Sequence, residues 1–543
     1  MNPSFFALKL SSARSLGLMA TTCLVWAAVS FGANANLDGY HDMLENYAWS
    51  QPLLWGTHKH PPFFAWVVGG WFSVFPQTDW AYRLLSYVNV AVGLCGVWVL
   101  GQRLQLGRLA AWGALLLLWS FPYTTLAGKF NANSQLLSLW PWAAALLLAS
   151  WQEKGLRGWS LSVALGLIAA ACMLSKYYSG VFLAGLLVPT LLHVQGRQWL
   201  CTPRPYVALI VFALALLPHT VWMAQHDWAP MGYAMSQGDG QTIVWRHVVR
   251  FALSPLFYWL PAWLAVAVLY ALTHARQTGV ARSRTIWRFL GQSWQPQGWD
   301  DVLFWLAWMP WALTLGFGIA GMVELSTPWA IPIGYAFALL WLRNLNALSP
   351  QVTGSVLVQL YRVWGVVLVL IVVLGGITAS VNALKRKVDY YRPTQQAAVA
   401  IVQAWQERYP GQSLQWVGGA WAESAMLAFY AQPQLQPGMP WQTVPGMPDS
   451  YPAVLAGMSS WRSHHGMLLC PLGPTSIQSM NAAALDSACV VEARQWLQAR
   501  GLSEQRHDLS IERSGWRFPR PMVFGYVVFD VPAQGHQAHN LAP

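Results

Sequence analysis

The chain has 543 residues, of which 55% are hydrophobic and only 10% charged, and its formal net charge is +12. Soluble domains carry about 25% charged residues, so the composition excludes an ordinary soluble protein and points to a polytopic helical membrane protein. No clustered basic domain accompanies the positive charge. That argues against a nucleic-acid partner and for basic loops and anionic lipid heads. The 35 tryptophans agree, because indoles favour the bilayer interface.

The first apolar run, 15–31, is followed by "GANA", whose Ala33-x-Ala35 fits a signal-peptide cleavage pattern. The run is long enough to cross, and the segment after it looks functional. It is therefore read as an uncleaved first span over 14–34. Ten more spans are expected, over 82–101, 107–126, 133–151, 159–175, 177–195, 205–224, 249–272, 301–320, 327–344 and 361–384. Alternate loops carry the basic residues: Lys9 and Arg14; Arg103 and Arg108; Lys154 and Arg157; Arg197 and Arg204; Arg276, Arg282, Arg284 and Arg288; Arg343 and Arg362. Positive loops stay cytoplasmic. The N-terminus is then inside, and both the loop 35–81 and everything after 385 are outside. Lys385, Arg386 and Lys387 run against this pattern.

The expected division is a membrane domain over 1–385, including the outer loop 35–81, and an outward-facing α/β domain over 386–543. In the second, helix-like stretches at 396–408, 421–431 and 487–500 alternate with strand-like ones at 414–418, 466–470 and 521–530. Its "PQLQPGMPWQTVPGMP" reads as a linker. Cys470 and Cys489 lie here and suit either a disulfide, if this region is outside the cytoplasm, or two free thiols. No Cys/His metal spacing appears in the chain.

With this topology the unusual polar residues fall on the outer face. They are Asp42, Glu45, His58, Lys59 and His60 in the first outer loop, then Lys129, Asn131 and Asn133, then Lys176, Tyr177 and Tyr178, then His226 and Asp227, and finally Glu324. Ionisable groups near membrane depth are costly and mark pathways or sites, so one extracytoplasmic cavity is expected. In "DMLENYAWS", Asp42, Glu45 and Trp49 share a helical face. The two carboxylates suit a base or cation site; an N-capping Asp with a solvated Glu is the other reading. In "HKHPP", Pro61 and Pro62 force an extended entry to a flat-lying "FFAWVVGGWF". Lys59 then either holds a phosphate or snorkels. "KFNANSQ" also fits an N-cap. Lys176, in "LSKYYSG" between two apolar runs, wants an anionic partner. "QHDWAP" and "ELSTPW" also read as interfacial turns.

In this order, "DMLENYAWSQPLLWGTHKHPPFFAW", "LSKYYSG" and "LPHTVWMAQHDWAPMGYA" resemble the GT-C membrane glycosyltransferases of families 39 and 83. These include protein mannosyltransferase-like enzymes, the lipid A aminoarabinose transferase and rhizobial galacturonosyltransferases. The resemblance covers roughly residues 15–345, and more loosely the rest. It departs from the family pattern of adjacent Asp and Glu where Met43 follows Asp42, so that the next carboxylate is Glu45, with Asp38 a nearby alternative to Asp42. It departs again where His60 precedes the Pro-Pro pair, which shifts Lys59 by one.

The resemblance implies a bacterial inner-membrane enzyme that moves a sugar, with inversion, from a polyprenyl-phosphate donor to an envelope glycolipid such as lipid A, or to a protein Ser/Thr. Asp42 would be the base, or would orient a phosphate acceptor. Lys59, Lys176 and Lys129 would neutralise the leaving phosphate. Glu45, His60 or His226 would hold a divalent cation, if one is used. A transporter or flippase wants mid-bilayer charges and repeats, and the sequence suggests neither. A non-catalytic envelope scaffold would tolerate the loss of Asp42.

Overall fold

The computed structural model describes residues 3–39, 41–50, 54–236, 245–278, 287, 289, 291–345, 353–412, 414–431, 442–443, 462, 464–475 and 477–533. Arg282, Arg284, Arg288 and the side chain of Arg276 lie outside that set, as does the expected linker apart from Gln442–Thr443. The chain forms two compact units. One comprises Met1–Ser30, His58–Phe64 and Arg83–Val373; the other comprises Phe31–Thr57, Ala65–Tyr82 and Leu374–Pro543.

Among the described residues, seven helices are long and apolar enough to cross a membrane: Ala13–Ala33, Asp79–Arg103, Gly155–Ser175, Arg204–Gln225, Trp245–Val268, Val302–Ile319 and Arg362–Leu384. An eighth span results if Ser179–Leu192 and Val194–Leu200, bent by 104°, count as one. The expected eleven are not confirmed by this measure, and local features set the other three stretches apart. The helix Ala132–Gln152 is long enough, but Asn133, Ser134, Gln135 and Ser138 dilute its apolar run. The stretch 107–126 holds only the helix Arg108–Leu117. Pro122 disfavours helix at Phe121, whose N–H donates instead to the Tyr258 carbonyl at 3.1 Å. The stretch 327–344 begins as two 3₁₀ turns, Thr327–Ala330 and Ile333–Ala336, before the helix Phe337–Leu345. Pro328 and Pro332 remove donors there. A Cβ on Gly334 would lie 2.3 Å from the Trp259 ring, so only glycine lets these elements meet.

In the first unit, ion pairs pin one end of the helices. Arg103 binds Glu153 at 2.8 Å, and Arg204 donates to the Ser150 carbonyl at 3.0 Å. Arg343 grips Asp301 through two 2.6 Å bonds, while Asp301 also caps the helix Val302–Ile319. At the opposite end of the helix Asp79–Arg103, buried Arg83 donates to the Gly128 carbonyl at 2.6 Å. That bond fixes the loop leading to Asn131. Asn131 caps the helix Ala132–Gln152 in a reciprocal box with Ser134, so the capping reading of "KFNANSQ" is correct.

The second unit contains a five-stranded sheet in the order β2 (Gln442–Thr443), β1 (Trp416–Gly419), β3 (Gly466–Pro474), β5 (Phe518–Val531), β4 (Gln505–Gly515). The first three strands are parallel and the last two pairings antiparallel. Helices Thr394–Arg408, Trp421–Tyr430 and Ala488–Gln498 accompany it. Cys470 of β3 and Cys489 are disulfide-bonded. The first outer loop packs in this unit. Tyr47 of the helix Asp42–Trp49 meets the Phe429 ring at 5.1 Å and the Phe72 ring at 5.5 Å. Tyr82 donates to the Met43 carbonyl at 2.6 Å.

Candidate active site

The helix Gly155–Ser175 stops where Lys176 turns extended, at φ −162°. The Lys176 ammonium donates to Asn133 Oδ1 at 2.5 Å and sits 5.5 Å from the centre of the Trp329 ring. The "HKHPP" segment belongs to the same unit. Pro61 and Pro62 precede the helix Phe63–Phe72, as the sequence predicts. Lys59 Nζ stands 5.9 Å from the Tyr233 ring. The His60 ring lies edge-on to Phe64 and Tyr233, at 5.9 and 6.1 Å.

Burial pushes His60 well below the usual histidine range, and the charges of Lys176, Lys59 and His58 push it further the same way. Burial, then Lys59, lowers His58 to about 4. Both imidazoles are neutral at physiological pH, and the cluster's positive charge resides on the two lysines. Lysine holds a phosphate as a point charge on a flexible stem. Lys129 is half-buried on the same loop as the cap Asn131.

Tyr177 bonds to His219 Nε2 at 2.8 Å and lies 3.2 Å from the Met223 sulfur. Burial raises the Tyr177 hydroxyl above its ordinary range, so it is a neutral donor. His219 is buried in the helix Arg204–Gln225. Sequence reasoning singled out His226 instead. His226 stacks on Trp222 at 4.2 Å and is held by the Trp222 carbonyl at 2.6 Å. The available signal for His219 was a titratable group inside an apolar run. Glu324 is paired with His247, a partner outside every expected motif.

Asp42 and Glu45 belong to the other unit. Both open the expected short helix, but the reading of an N-capping Asp42 with a solvated Glu45 does not hold. Asp38, not Asp42, caps the helix: its two carboxylate oxygens accept from the backbone N–H of Asp42 at 3.1 Å and Met43 at 3.0 Å. The intervening His41 takes a left-handed φ of 60°. Glu45 is buried rather than solvated, and accepts from Trp421 Nε1 at 2.9 Å. Among the described residues no three His, Cys, Asp or Glu side chains gather to hold a metal ion.

Residues 59–222 match the family model for dolichyl-phosphate-mannose-protein mannosyltransferase. They include Lys59, His60, Lys129, Lys176 and Tyr177. The crystal structure of ArnT from Cupriavidus metallidurans bound to undecaprenyl phosphate superposes with a TM-score of 0.53 at 16% identity, covering 94% of this chain and 97% of that one. The chain has the GT-C fold of ArnT. The apo form of the same enzyme gives a TM-score of 0.54 at 16% identity, over 95% and 98% of the two chains. No curated protein matches by sequence. The GT-C fold is thus carried by a sequence far removed from ArnT, with the family match confined to the region of the lysine cluster.

Proposed function

We propose that this protein is an inverting glycosyltransferase that moves a sugar from a polyprenyl-phosphate carrier to an envelope glycolipid at the outer face of a bacterial inner membrane. The observation that carries this reading is the lysine cluster: Lys176 fixed on Asn133, beside a His60 that two lysines and burial keep neutral. The acceptor oxygen attacks the anomeric carbon opposite the carrier phosphate. The bond from that carbon to the phosphate oxygen breaks, and its electron pair stays on the phosphate. Lys176 and Lys59, with Lys129 at the same loop, stabilise that developing charge, the kind of term that dominates such reactions. Asp42 takes the proton of a hydroxyl acceptor, or orients a phosphate acceptor that has none to lose. Tyr177, His58, His226 and Glu324 line the donor's path.

The lipid in the ArnT crystal structure supports a polyprenyl-phosphate donor. The Cys470–Cys489 disulfide supports an outward-facing domain over 386–543, since disulfides persist in oxidising compartments. The family description favours a second reading, in which the acceptor is a protein Ser/Thr. Mass spectrometry of lipid A and of envelope glycopeptides, from cells with and without the gene, tests both. A sugar increment on lipid A that disappears with the gene supports the first, and one confined to peptides supports the second. No change in either fraction refutes glycosyl transfer to these acceptors.

A further inference from the structure

The β4–β5 hairpin turns through Trp516 and Arg517, between the paired Gly515 and Phe518. Trp516 is 93% exposed, more than any other large apolar side chain among the described residues. The turn is tied to the end of a span: Arg517 Nη2 donates to the carbonyls of Gly32 at 2.5 Å and Asn34 at 3.4 Å. Arg513 stacks on Phe518 at 4.5 Å and reaches the Ala35 carbonyl at 3.4 Å. A second span end joins the same face, because Arg386 Nη2 donates to the Pro521 carbonyl at 2.9 Å. Arg386 is the middle of the exposed triplet Lys385–Arg386–Lys387, directly after the span Arg362–Leu384. Arg520 is exposed on the same hairpin.

Two helices that cross the membrane therefore end beside one tryptophan and five cations: Lys385, Arg386, Lys387, Arg517 and Arg520. The last large apolar side chains of those helices, Phe31 and Leu384, are 42% and 72% exposed, and so open to lipid tails. Indole rings settle at the headgroup level, and basic residues gain from anionic headgroups only within about a Debye length. Asp389, two residues after the triplet, is engaged by Arg392 at 3.7 Å. We propose that this face docks on phosphate-bearing lipid headgroups of the leaflet in which the two spans end, with Trp516 seated in the interface. The proposal does not depend on the transfer reaction. It also accounts for a basic triplet on the side of the membrane where short loops are otherwise poor in charge: the triplet grips lipid phosphate.

The test is native mass spectrometry of full-length protein released from nanodiscs containing equal phosphatidylglycerol and phosphatidylcholine. The expected result is that Arg520→Gln with Lys385→Gln and Lys387→Gln lowers retained phosphatidylglycerol about fivefold or more, since each cation near a charged leaflet contributes separately. The swap Arg520→Lys with Lys385→Arg and Lys387→Arg should retain the wild-type preference. Trp516→Ser should lower retention of both lipids at this face while leaving the charge preference intact. Equal retention by wild type and the neutralised variant overturns the proposal. Should the triple variant not insert, the single variant Arg520→Gln, at an exposed site, replaces it: a smaller fall in retained phosphatidylglycerol supports the docking, and an unchanged level overturns it.

Discussion

Lys176 and Asn133 meet at 2.5 Å, across 43 residues of sequence, and each is held by its own helix end. Lys176 follows the last residue of one helix, and Asn133 lies in the first turn of another, locked by the Asn131–Ser134 capping box. The ammonium is thus preorganised before any phosphate arrives. Lys176→Ala should lower transfer by about 10²–10³-fold, the range for removing one preorganised charge stabiliser, at normal membrane abundance. Asn133→Ala should cost less and should be felt more in kcat than in KM. Near-normal turnover of Lys176→Ala would show that the lysine merely snorkels.

Asp38 and Asp42 should separate by phenotype. Asp38 accepts two backbone N–H bonds, so Asp38→Ala should destabilise the protein by about 1 kcal/mol and lower its melting temperature. Asp42→Asn keeps shape and should leave melting unchanged while lowering transfer by about 10²–10⁴-fold. Both are measured on purified protein by thermal melting and by an assay with a lipid-linked sugar. Unchanged transfer by Asp42→Asn would remove the base from the proposed mechanism.

The neutral histidines give a pH signature. His58 and His60 titrate lower in the folded protein than in the unfolded chain, where the ordinary value is 6.5. Between those limits the unfolded chain binds more protons, so stability rises with pH. It is full above about 6.5 and falls as pH drops towards 4. Melting temperatures between pH 7 and 4.5 should therefore decline, and His60→Gln should flatten the slope. Parallel curves for wild type and variant would mean that His60 does not carry this linkage.

Topology can be read from two independent signals. A reporter active only outside the cytoplasm, fused after residue 390, should be active. Protein taken from membranes under non-reducing conditions should protect Cys470 and Cys489 from maleimide until a reductant is added. A cytoplasmic reporter signal, or two freely labelled thiols, would reverse the proposed orientation.

The sequence made most of this architecture readable where apolar runs were long and uninterrupted, as at 155–175 and 204–225. It did not show where regular helix breaks off within 107–126 and 327–344, because hydropathy counts side chains while Pro122, Pro328 and Pro332 act on backbone hydrogen bonding. In the sheet, strands rich in buried apolar residues at 416–419 and 466–474 stood out. β4 did not, because its "QRHDLSIERSG" is an edge strand with one face covered and alternating exposure. In the site, Lys59, Lys176 and Tyr177 were legible as charges or phenols against oil. His219 was masked by its apolar helix, and His247 by lying far from every motif. The capping role of Asp38 was not legible, because a cap that far outside the first turn depends on His41 adopting a left-handed backbone.

The bond between Glu45 and Trp421 joins residues 376 positions apart. At synthesis rates of roughly 5–20 residues per second, the acidic helix leaves the ribosome about 20–75 s before its partner helix exists. For that interval the helix Asp42–Trp49 can pack only on its own neighbourhood, such as Phe72 and Tyr82. Its contacts with Trp421 and Phe429 form only once the C-terminal third is made, so a chain truncated before them would leave the buried face of that helix uncovered.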